Sequence, residues 1–169
     1  MILVDGALAR REAEGRPIRV GMIGAGFQGS GVARQILRST PGMQLCAVAN
    51  RTLAKASACF SQADVEPVAI EDAGALADAI RSDRAAITQD AQLVAESPDL
   101  DAIIEVTGSI EPAARAILAA IRSGKHVIQE NTTVSSSVAC TARRKSVCVP
   151  AGTSSPQHSI TRVAPSSRK

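Results

Sequence analysis

Aromatic side chains are almost missing from this chain: its 169 residues include two Phe and no Trp or Tyr. That removes the stacking surfaces on which single-stranded nucleic acids are held. It also leaves the core to Ala, Val, Ile and Leu, within a hydrophobic share of 45% that indicates a globular class. No apolar run approaches the roughly 20 residues a bilayer-crossing helix needs. The opening MILVDGALARREAEG meets charge at Asp5 and has no long apolar stretch, unlike a secretion signal. A soluble, cytoplasmic protein without a membrane partner is expected. Four cysteines are too few for a disulfide scaffold at this length. Cys46 and Cys59 fall in apolar segments as small hydrophobes. Cys140 and Cys148 have seven residues between them, not a metal-ligand spacing, so no metal site is expected.

Acid is the other absence, and it is local. Residues 132–169 hold six Lys/Arg, nine Ser, five Thr and three Pro but no Asp or Glu. Residues 1–131 hold the remaining 13 Lys/Arg against all 16 Asp/Glu, a net of −3 within a total of +3. The basic balance belongs to the tail, and a nucleic-acid partner is not expected of the rest. Apart from a short possible strand at 146–149, the tail shows neither helical nor strand period. It would bury too little apolar surface to offset chain entropy, and is expected to be disordered.

Before the tail, two periods alternate. Residues 5–15 read as a short helix closed by Gly15 and Pro17, which makes 1–17 a lead-in. Strands are expected at 18–23, 43–49 (MQLCAVA), 67–70, 101–106 and from Lys125 to Ile128, with an extra short one at 85–88. Helices are expected at 28–39, 53–63 and 72–82, and from an Asp90 N-cap to Glu96. Ile110, Ala113, Ala114, Ile117, Leu118 and Ile121 mark the clearest helix, closed by Gly124. Strands separated by helices imply right-handed crossovers and a parallel sheet. The fold class is therefore α/β, a doubly wound parallel sheet of Rossmann type over 18–131, incomplete, followed by the tail 132–169.

Between the first strand and its helix stands Gly24-Ala25-Gly26-Phe27-Gln28-Gly29. The spelling alone is weak, but a strand before and a helix after supply its context. Gly24 permits the tight turn, Gly26 admits a pyrophosphate against the backbone, and Gly29 lets helix and strand pack closely. The helix N-terminus adds free N–H groups and partial positive charge. At the end of the second strand, 26 residues after Gly24, stand Asn50, Arg51 and Thr52. An NAD-selective site usually carries Asp or Glu there to bind the ribose hydroxyls. Without that acid nothing repels a 2′-phosphate, and Arg51 can grip one, so NADP is expected over NAD. The missing acid also counts against a methyltransferase using S-adenosylmethionine. Thr107 and Gly108 end the strand at 101–106, on the crevice edge. Glu105 is a charge within that apolar strand and needs a partner or solvent. His126 lies at the opposite end of the sheet and His158 in the tail. Neither is expected to act as a general base, and no catalytic residue is assigned.

From Ile18 to about Asn131 the chain resembles the N-terminal domain of NAD(P)-dependent oxidoreductases related to homoserine dehydrogenase. The resemblance is carried by GRPIRVGMIGAGFQGSGVARQI, AVANRTLAKA, DAIIEVTG and AAIRSGKHVI. Its nearest flavour is the subgroup with a C-terminal SAF domain, including reductoisomerase-like enzymes acting on sugar phosphates. It implies hydride transfer between an NADP cofactor and a small polar metabolite. The cofactor contacts it implies are the Gly24–Gly29 loop, Asn50, Arg51, Thr107, Gly108 and Asn131. Related dehydrogenases follow the strand before Asn131 with a lysine-bearing segment that often serves catalysis. Here that place reads Gln129-Glu130-Asn131-Thr132-Thr133. The catalytic and oligomerising domain expected next is replaced by the tail, as in a truncated or frame-shifted product that is inactive alone. The competing reading is a non-catalytic nucleotide-binding or regulatory module, with the basic tail as a docking arm.

Overall fold

The structure, a computed structural model, describes residues 3–130 and the pair Ile160–Thr161. Asn131, the strand expected at 146–149, Cys140, Cys148 and His158 lie outside the described residues. Helix α1 (Leu3–Ala13) leads into strand β1 (Ile18–Ile23), helix α2 (Phe27–Ser39) and strand β2 (Met43–Ala49). Then come α3 (Leu53–Ser61), β3 (Val68–Ala69), α4 (Ala73–Arg81), β4 (Ala86–Thr88) and α5 (Ala91–Glu96). Strand β5 (Ala102–Glu105), helix α6 (Ile110–Arg122) and strand β6 (His126–Gln129) complete the unit. The elements expected within residues 3–130 are all present, with ends shifted by a residue or two where strands meet polar turns. Of the tail, expected to be disordered, the described part is β7 (Ile160–Thr161), which pairs antiparallel with β6. That pairing extends the sheet beyond β6.

The sheet runs β3-β4-β2-β1-β5-β6-β7, and β1 to β6 are parallel. From β1 the strand order runs one way to β2 and β3 and the other way to β5 and β6. Right-handed crossovers therefore place α2 and α3 on one face and α4, α5 and α6 on the other. The core divides accordingly. Val20, Met22, Leu45, Val48, Ala33, Ile36 and Phe60 pack on the first face. Ile23, Ala49, Ile103, Leu76, Val94, Ala113 and Ile117 pack on the second. Strands covered on both faces must be apolar throughout, as MQLCAVA is. Val20 pairs with Leu45 but Gly21 with Ala47, so Cys46 is the extra residue of a bulge. Cys46 and Cys59 are both buried, as the sequence suggests, and burial pushes the Cys46 thiol up to about 12.

The N-terminal edge of the sheet is tied down separately. Lys125 is buried, and its ammonium donates to the Ser97 and Leu100 carbonyls, joining the α5–β5 turn to β6. Burial holds its pKa below the usual lysine range, against Asp101 and Asp99, which act to raise it. Helix α1 rests on the α2–β2 turn: Gly42 N donates to Glu12 Oε2 at 2.8 Å and Ile18 N to Gly42 O at 2.8 Å. Gly42 has φ +78°, and a Cβ there would lie 2.1 Å from the Leu8 carbonyl oxygen. Gly42→Ala is expected to cost about 1–3 kcal/mol in urea unfolding and to raise amide exchange across α1. Unchanged exchange in α1 would contradict this docking.

Candidate cofactor-binding site

The C-terminal ends of β2, β1 and β5 stand side by side where the strand order reverses, the place where open α/β sheets bind ligands. The glycine loop occupies the middle position. Gly24 has φ +107°, and a Cβ on it would lie 2.9 Å from Val106 C, Val106 O and Thr107 N. A Cβ on Gly29 would meet Gly24 O at 2.6 Å. These two glycines are demanded by protein packing. Gly26 is not: its φ of −78° suits any residue, and a Cβ there would meet no atom of the described residues within 4 Å. A pyrophosphate against the backbone fits the space that a Cβ would take there.

Helix α2 begins at this loop without a cap. Its N-cap Gly26 has no side chain, and its first turn holds no acidic residue. Ser30 N donates back to Gly26 O at 2.9 Å, whereas Phe27, Gln28 and Gly29 N–H have no backbone partner among the described residues. The first turn of a helix carries such orphan donors and a partial positive charge, which together seat anions. Ala25 N is committed elsewhere, donating to Asn50 Oδ1 at 3.2 Å. Within the loop, Gly26, Phe27 and Gln28 are exposed, while Gly24, Ala25 and Gly29 are buried.

At the end of β2, Asn50 is a brace. Its Oδ1 accepts from the loop, its Nδ2 donates to Thr52 O at 2.9 Å, and its backbone N donates to Thr88 O at 2.9 Å. Gln89 holds the next residue by donating to Arg51 O at 2.7 Å. The Arg51 side chain is exposed, and among the described residues nothing bonds its guanidinium. Helix α3 follows with no side-chain cap from Thr52 and no acid in its first turn. The braces Asn50–Ala25 and Gln89–Arg51 span 25 and 38 residues, and no local sequence signal announces them.

At the end of β5, Glu105 is fully buried. Its Oε1 accepts from Thr107 N at 2.8 Å and from the Thr107 hydroxyl at 2.6 Å. The same hydroxyl oxygen accepts from Ser109 N at 3.2 Å. Gly108, at φ +69°, turns the chain into α6. His126 is exposed at the start of β6, on the far edge from this crevice. Among the described residues no group of three or more His, Cys, Asp or Glu could hold a metal ion, and no helix is long and apolar enough to cross a membrane.

This arrangement has a counterpart in known proteins. Residues 18–152 match the family model described as an oxidoreductase family with an NAD-binding Rossmann fold. The chain belongs to this family, GFO/IDH/MocA. No curated protein matches it by sequence. Among solved structures, myo-inositol dehydrogenase from Lactobacillus casei, with NAD(H) and myo-inositol, superposes at a TM-score of 0.57 and 18% identity. That match covers 77% of this chain and 34% of the other. A scyllo-inositol dehydrogenase from the same organism, with NAD(H) and scyllo-inositol, gives 0.54 and 19%, covering 76% and 33%. A homoserine dehydrogenase from Thiobacillus denitrificans gives 0.54 and 26%, covering 76% and 28%. The chain thus spans about a third of the length of these oxidoreductases.

The family's dinucleotide fits the residues present, because the uncapped α2 and the unexplained Gly26 stand together at the switch point. Gly26→Ala is expected to leave the urea midpoint within about 0.5 kcal/mol of wild type, while weakening dinucleotide binding at least about tenfold. Gly24→Ala is expected to cost stability itself. Equal stability losses in both variants would contradict the distinction.

Proposed function

We propose that this chain is the dinucleotide-binding domain of a cytoplasmic oxidoreductase and binds NADP in preference to NAD. The observation that carries the reading is the row of three strand ends in the order β2-β1-β5. The free amides of α2 lie at β1 and would hold the pyrophosphate. Arg51 lies at β2 and would hold the adenosine ribose with its 2′-phosphate. Thr107 and Gly108 lie at β5 and would border the nicotinamide half. Asn131, two residues beyond β6, completes the proposed contacts. When bound, the cofactor supplies hydride chemistry; this chain's own residues bind and orient it.

The preference for NADP rests on the chain's own residues. Asn50 stands where a carboxylate would select NAD, and its amide is already used at both ends. Arg51 and the uncapped start of α3 are the nearby features among the described residues that suit an added phosphate. The NAD(H) in the two inositol dehydrogenases points the other way, at identities of 18% and 19%. The homoserine dehydrogenase, at 26%, is one distant neighbour beside the inositol dehydrogenases, and the proposed substrate is a small polar metabolite. The comparisons lend no support to the SAF-domain and reductoisomerase part of the resemblance. The lack of a lysine in 129–133 favours a second reading, a nucleotide-binding module without catalysis.

Fluorescence titration of the purified chain with NADPH and NADH tests the proposal. Arg51→Ala is expected to weaken NADPH by about 10- to 100-fold, the worth of a hydrogen bond to a charged group. It should leave NADH within about twofold of wild type. Equal losses for both cofactors would discard the phosphate role, and binding of neither would discard the cofactor.

A further inference from the structure

Glu105 is the one charged residue among the largest fully buried side chains, and the fold gives no reason for it. Its neighbours along the chain, Ala102, Ile103, Ile104 and Val106, are apolar and buried. None of the ion pairs among the described residues includes it. Its Oε2 has no hydrogen-bond partner there. A buried carboxyl so poorly satisfied costs free energy that an aliphatic side chain would avoid. Both of its hydrogen bonds go to one residue, Thr107, through Oε1.

The consequence falls on the Thr107 hydroxyl, which has one proton and two acceptor lone pairs. The proton goes to Glu105, and one lone pair accepts from Ser109 N. What remains is an acceptor. A ligand group meeting Thr107 must bring a hydrogen of its own, which excludes a phosphate oxygen. Because β1 lies between β2 and β5, a dinucleotide with its pyrophosphate on the glycine loop and its adenosine at β2 extends its other half over β5. That half carries donors, the ribose hydroxyls and the carboxamide N–H.

We propose that Glu105 is a positioning residue: by taking the Thr107 hydroxyl proton it makes the end of β5 an acceptor for a donor on the nicotinamide half. The proposal rests on the dinucleotide reading above. It adds which half of the ligand is read at β5 and by what hydrogen-bond polarity.

Calorimetric titration with NADPH, ADP-ribose and ADP tests it, since ADP ends at the pyrophosphate. Glu105→Gln keeps an acceptor oxygen and is expected to bind NADPH within about threefold of wild type. Glu105→Met removes the acceptor and is expected to weaken NADPH about tenfold, leaving ADP unchanged. In a Thr107→Val background, Glu105→Met should add nothing, as for two residues acting through one interaction. ADP-ribose sharing the loss marks a ribose hydroxyl as the donor; ADP-ribose escaping it marks the carboxamide. Should Glu105→Met not fold, Thr107→Ser is expected to bind like wild type and Thr107→Val to lose NADPH but not ADP. Equal losses for ADP and NADPH, or additive effects of the two substitutions, would overturn the proposal. Failure of the wild-type chain to bind any of the three ligands would overturn the dinucleotide reading together with it.

Discussion

The approach of Gly24 to the end of β5 is the contact on which the site depends. With a Cβ position only 2.9 Å from the Val106 and Thr107 backbone, no other residue lets the loop cross there. The loop is thereby set against β5 on one side. The Asn50 amide secures the other side through Ala25 N. Three strand ends, far apart in sequence, become one rigid rim. Rigidity matters because amides already aimed at an anion need no reordering when it arrives.

The rim divides its glycines by purpose. Gly24 and Gly29 serve the protein, since each would clash through a Cβ with backbone atoms. At Gly26 a Cβ would touch no atom of the described residues, which leaves that space to the proposed ligand. The same division applies to polar groups. Asn50 and Gln89 use their amides to hold loops, whereas the Arg51 guanidinium and the first amides of α2 have no hydrogen-bond partner among the described residues.

Most of the fold was legible in the sequence for a simple reason. Strands buried on both faces are continuous apolar runs, and helices covering them repeat every three or four residues. The short strand at 86–88 was visible as a segment, but not its insertion between β3 and β2, which depends on contacts across the chain. The bulge at Cys46 was hidden likewise, because an extra small apolar residue does not break an apolar run. The glycine loop, Arg51 and the Thr107–Gly108 turn were readable as candidates because each sits at the end of a strand. The bracing role of Asn50 was not, since its partner is 25 residues away. Glu105 stood out as a charge in an apolar strand, yet its hold on Thr107 became clear only from the geometry.

Family membership and the strand-end geometry rest on separate observations and agree on a dinucleotide seat. The most direct test of that seat is amide NMR of the chain titrated with NADPH. Resonances of Phe27, Gln28 and Gly29 should shift together with those of Thr107 and Gly108, saturating on one binding curve. Shifts confined to the opposite edge around His126, or no shifts in the first turn of α2, would contradict the account.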